Sequence, residues 1–171
     1  MTDTASENNV TALKILASLA NSGVPLVLAG WSAANFYGCR GLLVAQEYEV
    51  IIKPGIENAK LLFGAVNKIF TQFGLRVGDD GDFAALANPH YRVRPFSSIG
   101  NLEFVVAGDE NEFDQLLQSG TAANLADGIA VTYVSLQGLL MLKTRQFDMA
   151  IYKFNKKNRD LVRLRALQAI A

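Results

Sequence analysis

Apolar positions along the chain fall into two rhythms. In "NVTALKILASLANSG", Val10, Leu13, Leu16, Ala17 and Ala20 recur at helical spacing, and Gly23 ends the run. "VPLVLAG" is a short continuous apolar stretch closed by glycine, the pattern of a buried strand. "WSAANFYG" predicts a short helix. "EYEVIIKP" predicts a second strand that Pro54 stops. "GIENAKLLFGAVNKIFTQFG" carries Ile56, Ala59, Phe63, Val66 and Phe70 on one face, an amphipathic helix ending at Gly74. "LRVGDDGDFAALANP" is turn-rich and predicts no regular element. "HYRVRPF" alternates, with His90, Arg92 and Arg94 on one side of a predicted strand. "GNLEFVVAG" and "GIAVTYV" predict strands, and "ENEFDQLLQSG" a short helix ending at Gly120. "SLQGLLMLKTRQF" predicts a helix with Ser135 as N-cap, and "RDLVRLRALQAIA" a last helix. Strands and helices alternate, which predicts a mixed α/β sheet with flanking helices.

Composition narrows the class. The chain has 171 residues, half of them hydrophobic and under a fifth charged. That is enough for one domain with its own core and excludes a disordered or collagen-like chain. We read residues 1–171 as a single domain, with residues 1–8 a frayed polar start and 135–171 a C-terminal helical segment. The formal net charge is zero, so bulk charge steers the chain toward neither nucleic acid nor membrane. The single cysteine, Cys39, excludes an internal disulfide framework and a multi-cysteine zinc site. Without a leader pattern or an apolar run long enough to span a bilayer, the expectation is a soluble, cytoplasmic protein.

Three features bring chemistry into this frame. A strand ends in a glycine turn, Gly30-Trp31-Ser32, that opens a helix. Helix starts present backbone N–H groups and the positive end of the helix dipole, which suit phosphate. In "AQEYEVIIKP", Glu47 and Glu49 sit two apart and so emerge on the same face of a strand. "NLEFVV" places Glu103 alone in a third apolar strand. Three carboxylates on one sheet face do not all stay ionised unpaired, and a divalent cation relieves the repulsion. Taken singly, each feature has an ordinary structural reading, such as the solvated face of an edge strand. Their order along the chain distinguishes them.

That order resembles the nucleotidyltransferase superfamily, with its DNA polymerase β-like fold, in its minimal MNT-like and toxin–antitoxin-type members. The resemblance runs from about Val24 to Leu167. "LAGWSAANFYG" is similar to the family's opening strand, small-residue turn and helix. "EYEVIIKPGIENAKLLFGAV" is similar to the strand bearing two metal-binding acids and the helix after it. "NLEFVV" matches the strand with the third acid, and "VSLQGLLMLKTR" with "NRDLVRL" the closing segment. The resemblance implies metal-dependent transfer of an NMP from an NTP to a protein, RNA or small-molecule acceptor. It assigns Gly30 and Ser32 to the phosphate turn and Glu47, Glu49 and Glu103 to the metal, Mg²⁺ or Mn²⁺. It assigns Lys143 and Asp160 to the closing catalytic positions. It also implies a possible cognate partner protein and no membrane.

The departures from the family pattern concern the site itself. All three acids are Glu where the family has Asp, which moves each carboxylate out by about 1.5 Å. Mg²⁺ demands near-ideal octahedral geometry, and misplacement by about 1 Å can cost on the order of 100-fold in rate. Trp31 stands where the turn has a second small residue, and its indole crowds a triphosphate. Two readings follow: transfer chemistry lost or redirected while the fold persists, or a site resized as a whole. A third is a non-catalytic binding or scaffold module that keeps the fold. Arg92 and Arg94 either hold the nucleotide's phosphates or pair with the glutamates. The stretch from Lys143 to Arg165 holds eight of the sixteen Lys and Arg residues, either a solvated helix and loop or an RNA, nucleotide or acidic-partner surface.

Overall fold

The computed structural model of the chain describes residues 4–38, 48–73, 85–93, 102–125, 128–148, 165–166 and 169. Among these, α1 (Thr4–Asn21) leads into β1 (Leu26–Ala29), α2 (Gly30–Phe36), β2 (Tyr48–Ile52) and α3 (Ile56–Phe73). A 3₁₀ turn (Ala85–Ala87) precedes β3 (Arg92–Val93) and β4 (Leu102–Val106). Then come α4 (Glu110–Gln118), β5 (Thr121–Asn124), β6 (Ala130–Tyr133) and α5 (Leu136–Asp148).

The strands form one six-stranded sheet in the order β3-β4-β2-β1-β6-β5. β1 is antiparallel to β2 and parallel to β6, β2 is parallel to β4, and both outer pairs are antiparallel. The sheet is therefore mixed and the fold α/β, as the alternation of rhythms predicts. Every residue of β1 and β2 is buried, so both faces of the central strands are covered. This is why β1 reads as a continuous apolar run and β2 as one broken only by Glu49. Ile15, Leu16 and Leu19 of α1, Leu62 and Val66 of α3, and Phe104 of β4 share the core, with α1 packed on α3. One charged side chain, Glu49, is counted among the buried residues described.

Local chemistry fixes the helix starts. Ser135 caps α5, its Oγ accepting from the Gly138 N–H at 3.1 Å. Asp109 caps α4 by accepting from the Glu112 N–H at 2.7 Å, and the Glu112 carboxylate accepts from the Gly108 N–H at 3.0 Å. The pair resembles a capping box, with Glu112 reaching back one residue beyond the N-cap. The structure departs from the predicted pattern at three places. α1 is already helical at Thr4, inside the polar start, where Ala5 and Glu7 favour helix. β5 has no apolar alternation in "TAAN" and is created by its ladder to β6. Of the predicted strand through His90, Arg92–Val93 form strand among the described residues, and its part from Arg94 on lies outside them. His90 takes a left-handed backbone conformation (φ 61°), which breaks the alternation before the strand begins. Of the predicted last helix, Arg165 and Ala166 are helical, and the remainder lies outside the described residues or in a turn.

Candidate acid site at the β1–α2 turn

β1 ends at Ala29, and Gly30 (φ 64°) swings the chain into α2. A Cβ on Gly30 would lie 2.9 Å from the Glu49 Cβ and 3.5 Å from its Oε2. Conformation and space both demand glycine here, and its absent side chain lets the start of α2 rest on Glu49. Ala29 and Glu49 are antiparallel partners, and Glu49 and Glu103 are parallel partners. The three residues form one row across adjacent strands. Neighbouring strands lie about 4.8 Å apart, so the two carboxylates leave the same face side by side.

Arg92 joins them. It stands opposite Val105, two residues beyond Glu103 and hence on the same face. Its Nη1 donates to Glu103 Oε2 at 2.9 Å and its Nη2 to Glu49 Oε1 at 3.4 Å. The Arg92 side chain is 38% exposed, against 11% for Glu49 and 20% for Glu103. A planar guanidinium has separate donors in a fixed fork, so one arginine can span two carboxylates. The repulsion that two adjacent acids create is met here by a side chain. Among the described residues, no three His, Cys, Asp or Glu side chains are grouped to hold a metal ion. Arg92 takes one oxygen of each carboxylate, Glu103 Oε2 and Glu49 Oε1.

The turn itself is closed by its own side chains. Ser32 donates its hydroxyl to the Ala29 carbonyl at 2.9 Å, back onto the end of β1. Trp31 is 8% exposed and part of the core. The Lys143 Nζ of α5 lies 5.4 Å from the centroid of its ring, a cation–π contact. Thus Gly30, Glu49, Glu103 and Arg92 converge on one face, and Lys143 meets the turn through Trp31. Glu47, Arg94 and Asp160 lie outside the described residues. His90 does not join Arg92. Its imidazole packs on Gly108, where a Cβ would come 2.6 Å from the ring's Cε1.

Two groups elsewhere on β2 and just beyond it have shifted pKa values. Tyr48 precedes Glu49 and is pushed up to about 12 by burial, with the nearby Tyr133 adding to it. Lys53, just past β2, is raised mainly by its hydrogen bonds to Asp114 at 3.2 and 3.3 Å, with Glu110 also close at 3.3 Å. An open cleft between the end of α1 and α3, about 520 Å³ and lined by Asn21, Glu57, Lys60, Leu61 and Lys68, shares no residue with the acid row.

The sequence matches no protein-family model and no curated protein. The fold does find a solved counterpart. The chain is similar to an antigenic nucleotidyltransferase-like protein from Paracoccidioides brasiliensis, with a TM-score of 0.52 and 20% identity. The match covers 90% of this chain and 73% of that one. At that identity the likeness concerns the fold, which is nucleotidyltransferase-like. Among the described residues, no helix is long and apolar enough to cross a membrane.

Proposed function

We propose that this chain is a nucleotidyltransferase-like protein descended from metal-dependent NMP transfer, whose native site transfers nucleotide weakly or not at all. One observation carries the reading: Lys143, matched to the closing lysine, stacks on Trp31 at the turn assigned to phosphate. The indole is buried in the core at the turn where the family has a small residue, and the ammonium is engaged on its face. Such a contact is worth about 0.5–2 kcal/mol. The ancestral roles under this reading are metal binding for Glu47, Glu49 and Glu103, phosphate contacts for Gly30, Ser32, Arg92 and Arg94, and closing functions for Lys143 and Asp160. Mg²⁺ or Mn²⁺ and an NTP are the ligands it implies, with a protein, RNA or small molecule as acceptor. A toxin–antitoxin context is the setting it suggests.

The test is transfer from labelled NTPs with Mg²⁺ or Mn²⁺, scored for any covalent acceptor including the protein itself. The expected result is little or no label from the native chain and tighter NTP binding by Trp31→Ser. Robust Mg²⁺-dependent transfer by the native protein, lost in Glu49→Ala, overturns the reading. A second reading, a non-catalytic scaffold or partner module, is favoured by Ser32, whose hydroxyl is turned back onto Ala29. Thermal melts separate the two. A ligand at 100 times its Kd adds about 2.7 kcal/mol, whereas a pure scaffold shows no shift with any NTP and metal.

A further inference from the structure

We propose that β5 is an open sheet edge on which a second copy of this chain docks antiparallel, about a two-fold axis at Ala123, joining two six-stranded sheets into one. β5 ends the sheet and pairs on one side, with β6. Main-chain groups of an antiparallel strand alternate, one residue facing its partner and the next facing away. The Leu125 N–H donates to the Ile129 carbonyl at 2.8 Å, so Leu125, Ala123 and Thr121 face β6. β6 agrees: the Val134 N–H donates to the Leu28 carbonyl in β1, which leaves Tyr133 to face Thr121. The N–H and C=O groups of Ala122 and Asn124 therefore point outward. Among the described residues, no hydrogen bond reaches them on that side, and both residues are exposed.

The two edges of the sheet are built differently. β3 begins with Arg92, and the sequence runs on to Arg94 and Pro95, the charges and proline that keep an edge from pairing. β5 reads Thr-Ala-Ala-Asn, with no charge and no proline. Its outward groups also suit self-pairing. With Ala123 on the two-fold axis, Ala122 of one copy stands opposite Asn124 of the other as a hydrogen-bonded pair. Each outward N–H then meets an outward C=O, and none is left over. Ala123 meets its own counterpart as a non-hydrogen-bonded pair, where Cα atoms approach to about 4.5 Å and a methyl group fits. The strand is neutral, so its two-fold copy sets no like charges opposite each other. A contact this short makes a weak, concentration-dependent dimer. β5 and β3 are opposite ends of the sheet, so Arg92, Glu103 and Glu49 stay outside the contact.

The experiment is sedimentation equilibrium of the full chain over a range of concentrations. It compares native protein, Ala122→Lys/Asn124→Lys and Ala122→Glu/Asn124→Glu. Native protein is expected to dimerise as its concentration rises. Each double variant sets like charges directly opposite across the axis and should self-associate at least about ten-fold more weakly. An equimolar mixture of the two should pair at least as tightly as native, because each Lys then faces a Glu. Native protein that stays monomeric to about 1 mM overturns the proposal. So does a dimer that either double variant retains at native strength, or a mixture that fails to recover it. Amide hydrogen exchange on the native protein needs no variant. Protection of the Ala122 and Asn124 N–H groups should rise with concentration, while that of Ala123, which faces β6, stays level. Protection at Ala122 and Asn124 that ignores concentration overturns the proposal even where a dimer forms. Neither metal nor nucleotide is present, so the outcome is independent of whether the native chain transfers NMP.

Discussion

Glu112 and Arg145 make one carboxylate–guanidinium contact in this protein; Glu49, Glu103 and Arg92 make another of different stoichiometry. In the first, Arg145 Nη1 lies 2.9 and 2.8 Å from the two oxygens of Glu112, which also accepts from the Gly108 N–H. Glu112 sits in the first turn of α4 and Arg145 in the last turn of α5, the ends of each helix dipole that favour their charges. One acid meets one base, and the pair ties two helices together. In the second, one guanidinium is stretched over two acids on adjacent strands, with the longer contact at 3.4 Å. Both groups are partly exposed to similar degrees, so burial does not separate them. Balance does. A structural clamp has every charge explained by its own geometry. The acid row sets two like charges side by side on neighbouring strands, and it lies against the glycine turn.

The largest expected effect tests the seat of the acid row. Gly30→Ala puts a methyl group 2.9 Å from Glu49 Cβ in a left-handed conformation. Left-handed backbone costs about 1–2 kcal/mol and overpacking about 1–3 kcal/mol. Urea denaturation should therefore show a loss of about 3–4 kcal/mol. A loss below about 1 kcal/mol would mean that α2 does not rest on Glu49. Next is the clamp: Arg145→Met leaves the Glu112 carboxylate with only part of its partners and should cost about 2–3 kcal/mol. Equal melting of Arg145→Met and native protein would remove the contrast between the two groups.

Alkaline stability sharpens the comparison, because both guanidiniums stay charged throughout the accessible range. Tyr48 is buried, and its pKa in the folded state is about 12 against 10 in the unfolded chain. Its raised value favours the protonated form on folding. That contribution is complete below about pH 10 and is lost as pH rises toward about 12, with a size on the order of 3 kcal/mol. Native protein and Arg145→Met should show parallel alkaline limbs, and Tyr48→Phe a shallower one. A limb unchanged in Tyr48→Phe would assign the loss to other groups.

Much of this layout is legible in the residues. β1, β2 and β4 announce themselves because strands covered on both faces are largely apolar, with Glu49 and Glu103 the exceptions in β2 and β4. Ser135 is recognisable as a cap, and Gly30 as the end of a strand. The choice that Arg92 makes between phosphate and carboxylate is not legible. It depends on the antiparallel register that sets Arg92 opposite Val105, which no local pattern encodes. His90 misleads for the opposite reason: alternation extends to it in the sequence, but its left-handed backbone removes it from the strand. The Trp31–Lys143 contact joins helices far apart in the chain, so only packing reveals it. β5 exists through its partner β6 and leaves no trace in its own four small and polar residues.

The smallest expected effect discriminates most finely. Glu49→Gln and Glu112→Gln each replace a carboxylate by an amide of nearly the same shape. At Glu112 the change removes the charge that Arg145 faces and places an amide –NH₂ toward donors already present, the guanidinium and the Gly108 N–H. A hydrogen bond to a charged group is worth about 1.5–3 kcal/mol, so this variant should lose at least about 1 kcal/mol. At Glu49 the change leaves Arg92 its shorter contact, at 2.9 Å to Glu103, and removes the repulsion between the two acids. Loss and gain then nearly cancel, and the net change should stay within about 0.5 kcal/mol, as for many partly exposed pairs. Paired urea melts at neutral pH measure both. If Glu49→Gln costs as much as Glu112→Gln, the acid row is a second clamp and its like-charge conflict is not a functional residue of the fold. If it costs nothing, the second carboxylate is there for something other than stability.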